Sequence, residues 1–191
     1  ACGRYTGARS IDSVFVQNPG GGRRAAQDWL ARGYRAPGFI GVAPGVSTSQ
    51  DRLAGFSEGL AQAGITPRVI RAAGYSHDAG LARVVDLFEA HPELDSVFCA
   101  DDLLGLGALD GLRHRLGRQV PEVGVIGFND IQAAGWPSHP LATFRADASQ
   151  VVLNAIDLLT DRIERGRTTG EQRIVSCQFT ERGSIRERAT G

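Results

Sequence analysis

The sequence predicts an α/β fold, a Rossmann-like parallel sheet with helices on both faces. Short apolar runs alternate with helical patterns from residue 13 onward, and right-handed βαβ crossovers join such elements into a covered parallel sheet. Two of the apolar runs stop abruptly at polar pairs, Asp101-Asp102 and Asn129-Asp130. Because open α/β sheets bind ligands outside the carboxyl ends of their strands, these pairs also predict a small-molecule cleft.

Six apolar runs predict the strands. They lie at residues 13–16, 38–42, 68–72, 96–101, 123–128 and 173–180. Runs of this length, bounded by glycine, proline or polar residues, are typical of strands buried inside a sheet. Helical segments separate most of them, which favours parallel strand pairing.

Five segments with apolar residues at helical spacing predict the helices, at residues 21–32, 47–63, 78–90, 103–116 and 149–165. Gly33 follows the first segment, at the position after a helix where a glycine with left-handed backbone is common. Ser47 and Gln50 have the spacing of a capping box, which predicts the start of the second helix. Gly64 predicts its end.

Charge and composition exclude several classes of protein. The 191 residues carry 21 basic and 21 acidic side chains, and every basic one is arginine. This balance provides no broad field to attract nucleic acid or an anionic membrane. No apolar run approaches the ~20 residues that a membrane-spanning helix needs. We therefore expect no membrane partner and no specific DNA binding by this chain alone.

Cysteine usage favours a reduced, cytoplasmic setting. Cys2, Cys99 and Cys177 are far apart, with neither CxxC spacing nor histidines at metal-ligand distance. We therefore predict no metal and no other cofactor, and we interpret Cys99 as a small buried side chain in a strand. The chain has no methionine and no signal-peptide pattern. We interpret it as part of a longer protein.

Six stretches of sequence occur in an order that one protein family shares. They are residues 18–35, 49–56, 95–108, 121–130, 136–145 and 180–184. Each is a weak motif by itself, but the ordered set resembles the effector-binding domain of LacI/GalR-family transcriptional regulators. That domain is itself similar to periplasmic sugar-binding proteins.

The resemblance implies a type I periplasmic-binding-protein-like fold, in which two Rossmann-like lobes hold the effector between them. It assigns residues 18–143 to the C-terminal lobe and residues 1–17 to a remnant of the N-terminal lobe. Residues 144–191 would form a crossover segment, a helix of the N-terminal lobe and a closing strand. The helix-turn-helix head that would bind operator DNA is missing. We expect weak effector binding by this chain alone, because half of the cleft wall is absent.

Four residues are implied as ligand contacts. Arg52 would grip hydroxyls or a carboxylate with its planar fork of donors. Asp101 stands where the family often has asparagine, and Asn129 stands where it usually has aspartate. The carboxylate is thus at the end of the neighbouring strand, and the identity of the effector stays open. Tyr75 would stack on the apolar face of a sugar, or it would be a surface residue.

Neighbouring residues have plainer interpretations. Asp102 would cap the helix that it begins, since an acid in the first turn suits exposed amides and the helix dipole. Asp130 would be a turn or cap residue and His77 a loop or cap residue. The glycines at 20–22 would form a simple helix start, because Arg23-Arg24 follow where a phosphate loop has Lys-Ser/Thr.

We expect a homodimer formed through the helix 103–116 and the loop that follows residue 130. Leu103, Leu106 and their neighbouring leucines cover more of the helix than one sheet-facing stripe requires. Trp136 is an aromatic anchor of the kind favoured at interface cores. The alternative for Trp136 is a core plug behind Pro137. A dimer would suit a regulator that meets a two-fold operator.

The sequence argues against an enzyme. It has no Gly-x-Ser-x-Gly elbow, no P-loop, no metal spacing and no GxGxxG opening a helix. Two binding functions stay open. One is the effector-sensing module of a bacterial regulator, with a sugar or related metabolite as partner. The other is a periplasmic-type solute-binding protein of a transporter, which has the same fold.

Overall fold

The computed structural model describes residues 11–187 of the chain. Its eight strands are β1 (Ser13–Val16), β2 (Pro37–Val42), β3 (Arg68–Ala72), β4 (Ser96–Cys99), β5 (Gly124–Ile126), β6 (Thr143–Ala146), β7 (Gln172–Val175) and β8 (Cys177–Thr180). The α-helices are α1 (Asn18–Ala31), α2 (Ser47–Ala61), α3 (His77–Ala90), α4 (Asp102–Asp110) and α5 (Ala148–Glu164). A π-helical stretch, Gly111–Arg115, extends α4. Cys2 lies outside the described residues.

Four parallel strands form the central sheet in the order β3-β2-β4-β5. Every residue of β2 and β4 is buried, as expected of strands covered on both faces. Helices α1 and α2 contribute to the apolar cluster that contains Phe39 and Phe98. Helices α3 and α4 contribute to the cluster that contains Ile40 and Val97. The predicted α/β fold is confirmed.

The last predicted strand is two strands in different sheets. β7 pairs in parallel with β1, and β8 pairs antiparallel with β6. The single strand predicted at residues 173–180 was therefore wrong. Ser176 separates the two halves, and each half then finds a different partner. A continuous apolar pattern does not reveal such a change of partner, because both halves alternate in the same way.

Glycines bring α1 and α2 unusually close together. A Cβ at Gly22 would overlap the carbonyl oxygen of Arg52, and one at Gly55 would overlap the carbonyl oxygen of Pro19. The helix α1 begins at Asn18, three residues before the predicted start, because proline is accepted in a first helical turn. The glycines at 20–22 thus lie inside the helix and serve its packing.

Two of the predicted helix caps are wrong. No side chain caps α2, whose N-cap is Val46, and Ser49 Oγ instead accepts a hydrogen bond from the Val42 amide. At α4 the N-cap is Asp101, which accepts from the Leu103 amide at 2.8 Å. Asp102 is structural, as predicted, but it is fully buried and accepts bonds from Thr143 Oγ1 and the Ile131 amide.

Gly33 has the left-handed backbone that the sequence predicts after α1, with φ of 84°. Gly64, predicted to end the second helix, follows α2 and also has left-handed backbone, with φ of 71°. Cys99 is buried in β4. The helix α5 packs on β1 and β7 through Leu158, which joins Val14 and Val175 in a small cluster. The division of the chain at residues 17 and 143 stays a prediction.

Candidate functional site

The carboxyl ends of the central strands and the helix N-termini beside them enclose a cavity of about 290 Å³. Its lining residues are Val16, Asn18, Thr48, Arg52, Tyr75, Asp101 and Asn129. All four predicted ligand contacts are among them. The geometry follows from the topology, since parallel strands deliver their ends to one edge of the sheet.

Arg52 is a buried cation held in one orientation. Its side chain donates from Nε to Asn18 Oδ1 at 2.9 Å, from Nη1 to the Ala100 carbonyl, and from Nη2 to Asn129 Oδ1 at 3.3 Å. The guanidinium carbon lies 3.6 Å from the centre of the Phe128 ring, a stacking contact that favours a cation. Burial lowers the pKa of Arg52 to about 10. The group therefore keeps its charge at neutral pH.

Asn129 joins Arg52 to Asp101. Its Oδ1 accepts from Arg52, and its Nδ2 donates to Asp101 Oδ2 at 2.6 Å. The residue has φ of 117° and the next, Asp130, has φ of 55°. Such backbone is uncommon for residues other than glycine and is enriched at binding sites. Asp130 is held by an ion pair with Arg182 at 2.7 Å, so its role as a turn residue fits the structure.

The two adjacent acids have different environments. Burial raises the pKa of Asp101, opposed by the bond from the Leu103 amide, by the Arg52 charge and by the bond from Asn129. Burial raises the pKa of Asp102 to about 6. The two carboxylates bond to different partners. Only Asp101 lines the cavity.

Tyr75 forms part of the cavity wall and packs against the clusters on both faces of the sheet. Its hydroxyl is buried and has no hydrogen-bond partner in residues 11–187. A buried polar atom without a partner is uncommon and calls for an explanation. His77, two residues later, opens α3 and bonds to Asp78 and Asp110.

Three lining residues were not predicted, namely Val16, Asn18 and Thr48. Asn18 and Thr48 lie in the first turns of α1 and α2, which point toward the same edge of the sheet. Asn18 could have been found in the sequence as an asparagine that precedes a proline at the start of a helix. Within the described residues, no group of three or more His, Cys, Asp or Glu side chains could hold a metal ion.

The residues of the predicted dimer face differ in exposure. Trp136 is 55% exposed and Leu103 is 39% exposed. The alternative interpretation of Trp136, as a core plug behind Pro137, was therefore wrong. Leu106 is 7% exposed and belongs to the core cluster beneath α4, so its apolar side chain does not require a partner subunit. No helix in the described part of the chain is long and apolar enough to cross a membrane.

A Rossmann-like lobe with a cavity at its strand ends, lined by Arg52, Asp101 and Asn129 among others, is typical of small-molecule binding proteins. Comparison with known proteins makes this specific. Residues 26–185 match the family described as "Periplasmic binding protein-like domain". The HTH-type transcriptional regulator CelR of Thermobifida fusca is 33% identical over 86% of this chain and 49% of its own length. The HTH-type transcriptional repressor CytR of Escherichia coli K12 is 26% identical over 92% of this chain and 52% of its own.

A solved structure gives the same answer. The "transcriptional regulator CelR-cellobiose complex" superposes with a TM-score of 0.85 and 29% identity, over 96% of this chain and 57% of that one. The chain belongs to the periplasmic-binding-protein-like family and is an effector-binding domain of the LacI-family regulators. It spans about half the length of the curated relatives that it matches. The first of these relatives is a transcriptional regulator and the second a transcriptional repressor.

Proposed function

We propose that the chain is the sensing part of a bacterial LacI-type regulator and that its cavity binds a small sugar or related polyol. The solved relative in complex with cellobiose supports this class of ligand, and a LacI-family regulator of Enterococcus faecium with bound ribose, 21% identical, shares the fold. The regulator would act in the cytoplasm, where its operator lies. Operator DNA would be bound by a separate head.

The observation that carries the proposal is the hydrogen-bonded row Arg52-Asn129-Asp101 along one wall of the cavity. A sugar hydroxyl both donates and accepts hydrogen bonds. Arg52 offers only hydrogen-bond donors, and ionised Asp101 offers only acceptors. A diol can therefore accept hydrogen bonds from Arg52 and donate hydrogen bonds to Asp101. The Asp101 charge also acts on Arg52 across Asn129, which offsets part of the cost of burying the guanidinium.

Tyr75 supplies the apolar surface that a sugar ring needs beside its polar edge. The amide of Asn129 donates to Asp101 and so orients the carboxylate before a ligand arrives. Such preorganisation lowers the entropy lost on binding.

Binding of cellobiose and ribose to the chain, measured by calorimetry up to the millimolar range, tests the proposal. Arg52→Ala should abolish binding of whichever sugar binds, while circular dichroism shows an unchanged fold. Arg68→Ala is the matched control, because Arg68 is exposed at the start of β3, away from the carboxyl ends. Unchanged affinity in folded Arg52→Ala protein would contradict the assignment.

We also propose that two copies associate through the exposed surface of Leu103 and Trp136. Both side chains are apolar and exposed, and tryptophan is favoured at interface cores. Sedimentation of the chain and of a Leu103→Asp, Trp136→Ala double variant tests this. Association in the parent chain that the double variant loses is expected. Identical folded monomers at tens of micromolar would contradict it.

A further inference from the structure

Asn18 is a polar side chain that is buried against Arg52. It is the first residue of α1, the N-cap is Gln17, and within residues 11–187 no hydrogen bond joins the Asn18 side chain to the backbone of this helix. The Asn18 amide is therefore not used for the helix itself. Its Oδ1 accepts the Nε–H of Arg52 at 2.9 Å, and both residues are buried.

The three acceptors around Arg52 are all uncharged. They are the side-chain oxygens of Asn18 and Asn129 and the carbonyl oxygen of Ala100. In the described residues no carboxylate forms an ion pair with Arg52, and Asp101 acts on it only at a distance. Neutral oxygens fix the direction of a guanidinium without cancelling its charge, whereas a carboxylate would pair with it directly.

The bonds leave part of the guanidinium free. It has five N–H groups, and the three hydrogen bonds to described residues use one each on Nε, Nη1 and Nη2. One N–H of Nη1 and one of Nη2 are left for the cavity that Arg52 lines. Asn18 holds the inner Nε end of the fork.

The position of Asn18 depends on the glycine packing of α1 against α2. Arg52 belongs to α2, and its carbonyl oxygen lies where a Cβ of Gly22 would be. Gly55 of α2 is equally close to the Pro19 carbonyl, the residue after Asn18. Two helices that approach this closely deliver Asn18 Oδ1 to within hydrogen-bond distance of Nε. The glycines thereby serve the binding site as well as the core.

We infer that Asn18 is a positioning residue of the effector site: it fixes the Arg52 fork through Nε while leaving the guanidinium charge and two N–H groups available to the ligand. This inference rests on the proposed function, since it concerns the same cavity. It makes a claim about Arg52 that holds in the absence of any ligand, so the two can be tested separately.

The first readout is hydrogen exchange of the Arg52 Nε–H, followed by nuclear magnetic resonance of the ligand-free chain. Asn18→Ala should speed this exchange by at least about tenfold, the size expected when a buried hydrogen bond is lost. Asn18→Asp keeps the acceptor and should keep the Nε–H protected, while its new charge raises the pKa of Arg52. Asn154→Ala is the matched control, because Asn154 also accepts from an arginine, Arg173, at 3.3 Å, but on α5.

The second readout is the affinity for cellobiose or ribose, whichever the parent chain binds. Asn18→Ala should weaken it by about tenfold, as expected when a preorganised donor becomes mobile, and Asn154→Ala should leave it unchanged. If no sugar binds but the exchange result holds, the proposed ligand class is wrong and the role of Asn18 stands.

Two results would overturn the inference. One is a folded Asn18→Ala variant, with or without a lower melting temperature, in which the Arg52 Nε–H exchanges as slowly as in the parent. If Asn18→Ala does not fold, the Asp variant decides. A folded Asn18→Asp protein whose Arg52 Nε–H exchanges as fast as that of exposed Arg68 would also overturn it.

Discussion

Helices α4 and α5 are both rich in branched aliphatic residues, yet their surroundings are opposite. In α4 the leucines at 104, 106 and 109 are all buried, enclosed by the central sheet, α3 and the chain near Leu141. In α5 only Leu158 is buried. Val151 is partly buried beside it, and the other large apolar residues of α5 are exposed, namely Val152, Leu153, Ile156, Leu159 and Ile163.

The comparison shows that apolar content alone does not reveal which helix has an unsatisfied face. A helix that is apolar all round is expected where it is enclosed on several sides, whereas an amphipathic helix needs one apolar neighbour along its stripe. The sequence predicted an excess of apolar surface on α4, and the structure places most of that surface in the core. The exposed apolar stripe is on α5, and stripes of this kind are typical of interaction surfaces.

The largest expected difference between the two helices is in the free energy of unfolding that is lost when a large apolar side chain is replaced by alanine. Leu104→Ala should lower the free energy of unfolding by about 2–5 kcal/mol, because it leaves a cavity in a closed core. Ile156→Ala on α5 should change it by less than about 0.5 kcal/mol, since the side chain is already exposed. Urea denaturation of both variants measures this. Equal losses would show that α5 has a covered face in solution.

Hydrogen exchange should separate the helices without any substitution. Amides of α4 are expected to exchange only through global unfolding, because the helix is buried on several sides. Those of α5 should exchange through local opening, about 100-fold faster or more, since few buried contacts oppose detachment of the helix. Mass spectrometry of peptides from each helix gives the rates. Similar protection of α4 and α5 would show that α5 is packed as firmly as α4.

The stability of the two helices should also depend differently on pH. A carboxylate forms ion pairs near the C-terminal end of each helix, and its partners differ between the two. Asp110 at the end of α4 binds His77 and His139, both at 2.9 Å. Asp12 binds Arg162 at 2.7 Å and Arg167 at 2.9 Å beside α5. Histidine titrates near neutral pH and arginine does not.

Partial burial lowers the pKa of His77, but its bonds to Asp110 and Asp78 outweigh this and raise it above its usual value of 6.5. The protonated form is favoured by folding, so this tie stabilises the protein below pH 6.5 and is lost as pH rises through the folded pKa. The effect should be below about 1 kcal/mol, since the ring is partly exposed. His77→Gln should remove this alkaline loss of stability in denaturation curves.

The tie at α5 should respond only to acid. Burial would raise the pKa of Asp12, but the Glu171 amide, Arg162 and Arg167 lower it to about 2. A depressed carboxyl pKa stabilises the folded state above 3.8 and loses that contribution as pH falls toward 2. Exchange of α5 amides should therefore be insensitive to pH changes around neutrality once the intrinsic rate is corrected. A change that parallels His77 titration would contradict this.

The smallest expected effect concerns Trp136. Trp136→Ser should change the free energy of unfolding of the monomer by less than about 0.5 kcal/mol, because an exposed side chain contributes little to folding. A loss that grows with protein concentration would instead indicate that association stabilises the fold. Denaturation at two concentrations distinguishes these outcomes.

Much of the fold could be predicted from periodicity, because the central strands and helices bury faces whose spacing is visible in the sequence. The predicted site residues Arg52, Tyr75, Asp101 and Asn129 do line one cavity. What could not be predicted depends on distant contacts. The burial of Leu106 is decided by neighbours that the local pattern does not contain. Asp102 is drawn into the core by Thr143 and the Ile131 amide, both distant in sequence, and the cap therefore falls to Asp101. The break at Ser176 depends on which strand each half meets.

The two tryptophans give the molecule two optical environments. Trp29 is fully buried against Tyr34, with ring centres 4.7 Å apart, while Trp136 is largely open to solvent. Intrinsic fluorescence of the chain should accordingly contain a blue-shifted component and a red-shifted one. Iodide, which cannot enter a packed interior, should quench only the second. The emission of this chain thus reports on its surface and its core separately, without any added dye.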